Sequence, residues 1–153
     1  DALGVEIETQ LQECGVPCAM DETRFGAAIA HILRNAAEAS ARGSKVTIAA
    51  STDYRGMRGM VEVIDRGCGM NSEVMKQIFR PYFTTKPGRL GLGLSVAREM
   101  LTRMGGSLAV SSNETRGMTF RARFPMKRPR LVTARDDEAA GDAISSTPTN
   151  DHQ

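Results

Sequence analysis

Two polar side chains stand where they could bind a small molecule, Asn35 inside a predicted helix and Asp65 at the end of a predicted strand. The amide oxygen of Asn35 is a ligand type that Mg²⁺ accepts, and the carboxylate of Asp65 can accept a hydrogen bond from an amino group. Taken alone, an Asn on a helix is more often solvated, and an Asp after a strand often only starts a turn. The two residue types indicate a polar ligand without identifying it.

Two glycine-rich segments accompany these side chains. The first, Asp65–Met70, directly follows a predicted strand, and the second, Gly91–Leu94, directly precedes a predicted helix. Glycine lets the backbone approach a ligand closely, and the start of a helix offers unpaired N–H groups to an anion. Neither segment has the context of a dinucleotide-binding loop, and the sequence has no P-loop pattern. Each segment by itself is weak support for a nucleotide site.

Helices and strands that alternate along the chain must hold these segments in place. An apolar period of three and four predicts a helix that starts after Asp21, with Gly43 as its left-handed cap. Further helices are predicted at 71–79 and 93–104, on either side of a loop at 80–90 that carries two prolines. Strands are predicted at 5–11, 45–50, 60–64, 108–111 and 119–124. Because the strands come in hairpins, we expect an α/β fold with a mixed, mostly antiparallel sheet covered on one face by helices.

The composition excludes several classes of protein. A length of 153 residues suits one domain, and 41% hydrophobic with 25% charged residues is typical of a globular chain. A formal net charge of +2 argues against nucleic acid as a partner, and the three cysteines indicate reduced thiols in the cytoplasm. The sequence shows neither a signal peptide nor an apolar run of membrane-spanning length, so we expect no direct membrane contact by this chain.

A change of composition near Met126 predicts the domain boundary. Residues 1–125 carry the periodic segments and are expected to form one folded domain. Residues 126–153 begin with a basic run and continue with few large apolar residues, so they cannot offset their ordering entropy. We expect 126–153 to be a mostly disordered tail or linker.

Five short motifs lie in a fixed order along the chain: His31–Ser40, Asp65–Gly69, Phe79–Lys86, Gly91–Ser95 and Gly117–Phe120. In that order they resemble the N box, first glycine box, F box, second glycine box and final glycine box in the catalytic ATP-binding domain of sensor histidine kinases. The Phe-Thr-Thr-Lys wording of the F box is similar to the nitrogen-regulation and dicarboxylate-sensing branch. The resemblance implies a two-layer α/β sandwich, the Bergerat ATP-binding fold, with ATP between the helices and a mobile lid.

The resemblance also implies roles for the polar residues. Asn35 would hold Mg²⁺, Asp65 would accept a hydrogen bond from the exocyclic amine of adenine, and Lys86 would neutralise phosphate charge. Asn35 and Lys86 are accordingly the predicted catalytic residues. His31 occupies the position where ATP-hydrolysing relatives carry a glutamate base, which fits phosphotransfer better than hydrolysis.

Backbone contacts complete the implied nucleotide site. The backbone at Gly67 and Gly69 is expected to contact adenine. The backbone at Gly91, Leu92, Gly93 and Leu94 is expected to contact the phosphates and the closing lid. Met118 stands where the family usually has threonine, which puts one adenine-side hydrogen bond in doubt. Thr119 is the candidate to replace it, although strand alternation would point Thr119 to the other face of the sheet.

The implied function is transfer of the γ-phosphoryl group of ATP to a histidine. The family's phosphoacceptor box does not occur in this sequence. We therefore expect a piece of a longer protein, whose acceptor histidine lies on a separate dimerisation domain, with a response regulator receiver domain as the further partner. Two alternatives remain open: a serine-directed kinase of the anti-sigma type, and a degenerate GHKL docking module that keeps the fold without catalysis.

Overall fold

The computed structural model describes residues 4–12, 20–53, 55 and 57–126. The predicted tail beyond Met126 lies outside these ranges, as do Cys14, Cys18 and the turn residue Gly56. Within them, no helix is long and apolar enough to cross a membrane.

Five strands and three helices make up the described part of the chain. In order they are β1 (Glu6–Leu11), α1 (Glu22–Ala39), β2 (Lys45–Asp53), β3 (Arg58–Ile64), α2 (Ser72–Gln77), α3 (Gly93–Arg103), β4 (Ser107–Ser112) and β5 (Met118–Pro125). They form one sheet in the order β1-β2-β3-β5-β4. The β1–β2 pair is parallel and the other three pairs are antiparallel. The predicted mixed, mostly antiparallel sheet is confirmed, with β1 at its edge.

The first helix starts as the sequence predicts and ends differently. The side chain of Asp21 accepts the backbone N–H of Arg24 at 3.0 Å and so caps α1. Gly43 was expected to be the left-handed cap at the other end, and this prediction is wrong. The helix ends at Ala39, and the capping residue Ser40 is extended and donates its hydroxyl to the carbonyl of Ala36 at 2.8 Å. Because Ser40 closes the last turn, the positive φ of Gly43 serves the later turn into β2 instead.

Alternation along β5 defines the two faces of the sheet. Phe120 and Ala122 are fully buried in the core with Val63 of the neighbouring β3. On the other face, Arg121 donates to Glu62 of β3 at 2.6 Å. Since successive side chains of a strand point to opposite faces, helices cover one face and the polar residues line the other.

The core lies between the sheet and the two long helices. It is built by buried residues of α1 and α3 together with those of the sheet: Ala28, Ile32, Ala36, Leu94, Ala97, Leu101, Val46, Val63, Leu108, Met118, Phe120 and Ala122. The small residues Ala36 and Ala97 are fully buried, and the two helices contact each other as well as the sheet. Met126 is also buried and donates its N–H to Met57 at 2.9 Å, so ordered pairing continues one residue past the predicted boundary.

Candidate functional site

A cavity of about 660 Å³ lies beside α1, where the predicted motifs meet. Its wall is formed by residues of α1, the first glycine box, the 80–90 loop and the start of α3, among them His31, Asn35, Glu38, Cys68, Gly69, Met70, Phe83, Lys86, Arg89, Gly91, Leu92, Gly93 and Leu94. The structure therefore brings together Asn35, Gly69, Lys86 and the second glycine box, whereas the predicted site residues Asp65, Gly67 and Thr119 do not line this cavity.

One stripe of α1 presents the polar residues to this cavity. His31, Asn35 and Glu38 follow one another at helical spacing, so they lie on one side of the helix. The neighbouring stripe of Ile32 and Ala36 is buried in the core. Because the core fixes the rotation of α1, the polar stripe is fixed at the cavity wall.

Basic residues of the 80–90 loop reach across to this stripe. The ammonium of Lys86 donates to Oδ1 of Asn35 at 3.2 Å, to the Asn35 carbonyl at 3.4 Å and to Oε2 of Glu38 at 3.1 Å. Arg89 donates to the other carboxylate oxygen of Glu38 at 2.5 Å. The Thr84 hydroxyl accepts the Lys86 N–H at 3.0 Å and shapes the turn that delivers Lys86. Ion pairs from two cations of the loop, Lys86 and Arg89, to one carboxylate, Glu38, thus hold the loop against the cavity wall.

The carboxyl group of Asp65 is buried behind the first glycine box. Its side chain is 1% exposed, and Oδ1 accepts the N–H groups of Gly67 at 2.8 Å and Met118 at 3.2 Å. The second oxygen, Oδ2, is buried and has no hydrogen-bond partner among the described residues. Burial raises the pKa of Asp65 above its usual range, while these two N–H groups and the charge of Lys86 act in the opposite direction. One acceptor atom is therefore held in place and left unused by the protein.

The β4–β5 turn supports this box from behind. Asn113 donates to the carbonyl of Asp65 at 2.9 Å, and Arg116 donates to the carbonyl of Gly67 at 3.0 Å. Gly117 packs so closely that an added Cβ would lie 2.1 Å from the Asp65 carbonyl oxygen. Sequence reasoning missed Asn113 and Arg116; their position directly before the final glycine box was the available signal.

Thr119 lies away from the cavity. It is buried on the sheet face opposite the helices, and its hydroxyl is 2.6 Å from Oδ1 of Asn113. The structure thus places the Thr119 hydroxyl against the side chain of Asn113. Met118 is also buried, and only its backbone N–H reaches Asp65.

Glycines shape the two ends of the cavity. A Cβ on Gly67 would lie 2.4 Å from the carbonyl oxygen of Ala39, so only glycine lets the first box pack on the end of α1. Gly91 has a φ of +66°, and its Cβ would lie 2.5 Å from the carbonyl oxygen of Phe83. At the start of α3, Leu92 caps the helix without a side-chain hydrogen bond, which leaves N–H groups of its first turn available to an anion.

A second recess of about 750 Å³ lies elsewhere, beside the ends of β2 and β3 and the α3–β4 turn. Its polar lining includes Ser51, Arg58 and Arg123, and it contains none of the predicted site residues. Four of the five motifs contribute to the cavity beside α1, and their chemistry identifies that cavity as the candidate functional site.

Comparison with known proteins places this geometry in a family. Residues 20–128 match the family described as histidine kinase-, DNA gyrase B-, and HSP90-like ATPase. Sporulation kinase C of Bacillus subtilis is 34% identical over 107 residues, which are 70% of this chain and 24% of that protein. The sensor histidine kinase ZraS of Escherichia coli K12 is 32% identical over 118 residues, 77% of this chain and 24% of that protein. The chain thus spans about a quarter of the length of these relatives.

Solved structures agree with the sequence relatives. The catalytic domain of histidine kinase ThkA superimposes with a TM-score of 0.72 at 26% identity, covering 81% of this chain and 80% of that one. Full-length ShkA in complex with AMPPNP gives a TM-score of 0.71 at 26% identity, covering 82% of this chain and 26% of that one. With four of its five motifs around one cavity and the match extending over most of its length, the chain belongs to the family of histidine kinase-, DNA gyrase B- and HSP90-like ATPases.

Proposed function

We propose that this chain is the catalytic ATP-binding domain of a two-component sensor histidine kinase, which transfers the γ-phosphoryl group of ATP to a histidine on a separate dimerisation domain. The observation that carries the proposal is the Asp65 carboxyl, with one oxygen fixed by two N–H groups and the other buried without a partner. A buried acceptor of this kind is costly unless a donor completes it. The exocyclic amine of adenine is such a donor.

The phosphate end of the nucleotide belongs at the cations of the 80–90 loop. Lys86 and Arg89 line the cavity, as do the residues at the start of α3. Two positive side chains and the exposed N–H groups of a helix start attract a polyphosphate. Adenine at the first glycine box and phosphates at the second would span the cavity.

Asn35 fits a role in holding Mg²⁺ together with the phosphates. Its Oδ1 already accepts a cationic group, the Lys86 ammonium, at 3.2 Å. Within the described ranges no group of three His, Cys, Asp or Glu could hold a metal without help. Phosphate oxygens would supply the remaining ligands, and the bound ion would neutralise charge on the transferred group.

The residues of the chain contribute position and charge to the transfer. In phosphoryl transfer the protein does little covalent chemistry, and rate comes from alignment and electrostatic stabilisation. Lys86 and Arg89 would stabilise charge on the phosphoryl oxygens, and Asn35 would fix the direction of the terminal phosphate. His31 lies on the α1 stripe at the cavity wall, where the ATP-hydrolysing relatives have a glutamate base, so phosphotransfer is favoured over hydrolysis.

The partners follow from the same proposal. The acceptor imidazole would come from the dimerisation domain, and a response regulator receiver domain would then accept the phosphoryl group. Relatives such as ZraS are named sensor histidine kinases, which favours histidine over serine as the acceptor. We place the domain in the cytoplasm and in the nitrogen-regulation and dicarboxylate-sensing branch, on the wording of its F box.

Calorimetry with nucleotides tests the proposal. The chain should bind Mg-ADP and a non-hydrolysable Mg-ATP analogue in preference to the guanine nucleotides, and Lys86→Met should weaken both adenine complexes. Lys76→Met is the matched control, because Lys76 makes an exposed ion pair with Glu73 at 2.9 Å on α2, away from the cavity. No binding at all would favour the docking module, and equal affinity for guanine nucleotides would contradict the hydrogen bond proposed between adenine and Asp65.

A transfer assay then distinguishes a histidine kinase from a serine-directed kinase of the anti-sigma type. Labelled ATP, this chain and the dimerisation domain of a sensor histidine kinase should give label on the partner that is labile in acid and stable in base. Acid-stable label on a partner serine would instead support the anti-sigma type of kinase.

A further inference from the structure

Glu38 occupies a position that the resemblance did not assign. Its side chain is only 13% exposed, and it bonds to both Lys86 and Arg89 of the 80–90 loop. Each partner is about fifty residues away in the sequence, so the contacts join separate parts of the fold. Because each oxygen of Glu38 accepts from a different cation, the carboxylate is held in place at both oxygens. The ion pairs of α2 and α3 are instead exposed to solvent.

Lys86 connects this carboxylate to the proposed metal ligand. The three acceptors of its ammonium are Glu38 and two oxygens of Asn35, which use all three N–H groups of the lysine. Two cations cannot share Oδ1 of Asn35 without repulsion. The lysine must therefore leave Asn35 before a metal–nucleotide complex is held there.

We propose that Glu38 is a latch residue: when no nucleotide is present it holds Arg89 and keeps Lys86 against Asn35, and it releases both cations to the phosphates when nucleotide binds. The inference rests on the proposed nucleotide site. Glu38 acts as a positioning residue, through the loop cations and not through contact with the substrate. Its negative charge also opposes the approach of a polyphosphate to the same cations, so the latch lowers affinity while it fixes the loop.

The latch predicts that two measured quantities both increase in Glu38→Gln. Without nucleotide, a protease that cleaves after aromatic residues should cut at the exposed Tyr82 about fivefold faster than in the unmodified chain. ADP affinity measured without metal should rise by about the same factor, because the loop cations are already released. A carboxylate that instead supported the metal would give lower Mg-ADP affinity and unchanged metal-free affinity.

Two further variants keep the test independent of folding defects at α1. Arg89→Met removes one arm of the latch from an exposed side chain, and it should also speed cleavage at Tyr82. In the double variant that carries both Glu38→Gln and Arg89→Met, the Arg89 change should add little, since both changes remove the Glu38–Arg89 ion pair. Glu99→Gln is the control, because it also removes one negative charge and one ion pair, with Arg103, but at an exposed position on α3.

Salt supplies the last discriminating measurement. Cleavage at Tyr82 should speed up with ionic strength in the unmodified chain and change less in Glu38→Gln, because salt screens the ion pairs that hold the loop. Equal cleavage of both chains at low salt would overturn the latch, whatever the nucleotide affinity. Failure of the unmodified chain to bind adenine nucleotides would overturn the proposed function and leave this cleavage result interpretable.

Discussion

Met118 donates its backbone N–H to Oδ1 of Asp65 at 3.2 Å, so the last strand holds the carboxylate through main chain and not through a side chain. The departure from the family's usual threonine at this position therefore leaves that hydrogen bond intact. Oδ2 of Asp65 has no hydrogen-bond partner in the part of the chain that the structure describes. The first glycine box thus combines a firmly held carboxylate with one unused acceptor.

Asp65→Asn should weaken nucleotide binding while it increases the stability of the fold. The amide replaces the unused acceptor with a donor, so ADP affinity should fall about tenfold and the preference over GDP should disappear. The free energy of unfolding should rise by about 1 kcal/mol near neutral pH, because a buried charge is removed. Calorimetry and urea unfolding measure the two effects. Asp21→Asn is the control, since Asn caps a helix about as well as Asp.

The free energy of unfolding and the nucleotide affinity should both depend on pH, because the pKa of Asp65 is raised. Because the folded state holds this proton more tightly than the unfolded chain, the group's contribution to stability is greatest at low pH. That contribution is lost as the pH rises from the ordinary value of 3.8 through the raised pKa. Nucleotide affinity should change in the opposite direction, rising with pH as the carboxyl ionises and accepts the adenine amine. Both dependences should be reduced in Asp65→Asn; an unchanged affinity profile would separate Asp65 from the nucleotide.

Gly117 should tolerate no side chain. An added Cβ would meet the Asp65 carbonyl at 2.1 Å, and the φ of +90° is unfavourable for any other residue. Gly117→Ala should therefore destabilise the fold by about 2–4 kcal/mol in chemical unfolding. Gly26→Ala is the matched control, because no atom lies within 4 Å of its added Cβ on α1. The control should stabilise the helix by about 0.5–1 kcal/mol; equal effects of the two changes would contradict the packing argument.

Sequence patterns predicted the elements and the cavity residues because both depend on local signals. The apolar period of α1 fixes which stripe is buried, and that in turn places Asn35 at the cavity. Long-range contacts were less accessible. Neither the pairing of Glu38 with Lys86 and Arg89 nor the bond from Asn113 to Asp65 leaves a periodic trace, since each joins residues about fifty positions apart.

Thr119 should influence nucleotide binding only through Asn113. Its hydroxyl lies 2.6 Å from Oδ1 of Asn113, which in turn donates to the carbonyl of Asp65 at 2.9 Å. Asn113→Ala should lower ADP affinity about fivefold by loosening the first glycine box, and Thr119→Val should have a smaller effect. The double variant should match Asn113→Ala alone. Additive losses would mean that Thr119 contacts the ligand directly, as the sequence prediction proposed.

Cys68 reports on occupancy of the cavity. It is exposed, lines the cavity between Asp65 and Met70, and makes only a weak 3.6 Å contact from Sγ to the carbonyl of Gly69. In a chain carrying Cys14→Ser and Cys18→Ser, a thiol reagent should therefore label Cys68 alone. Adenine at the first glycine box would cover this thiol, so saturating ADP should slow labelling at least about fivefold. Both labelling rates are measured at the same pH. Adenosine should protect as well as ADP when each is saturating, since in the proposed site the base and not the phosphate would lie at this end of the cavity. Equal labelling with and without ADP, in a chain that calorimetry shows to be saturated, would place adenine away from Gly69.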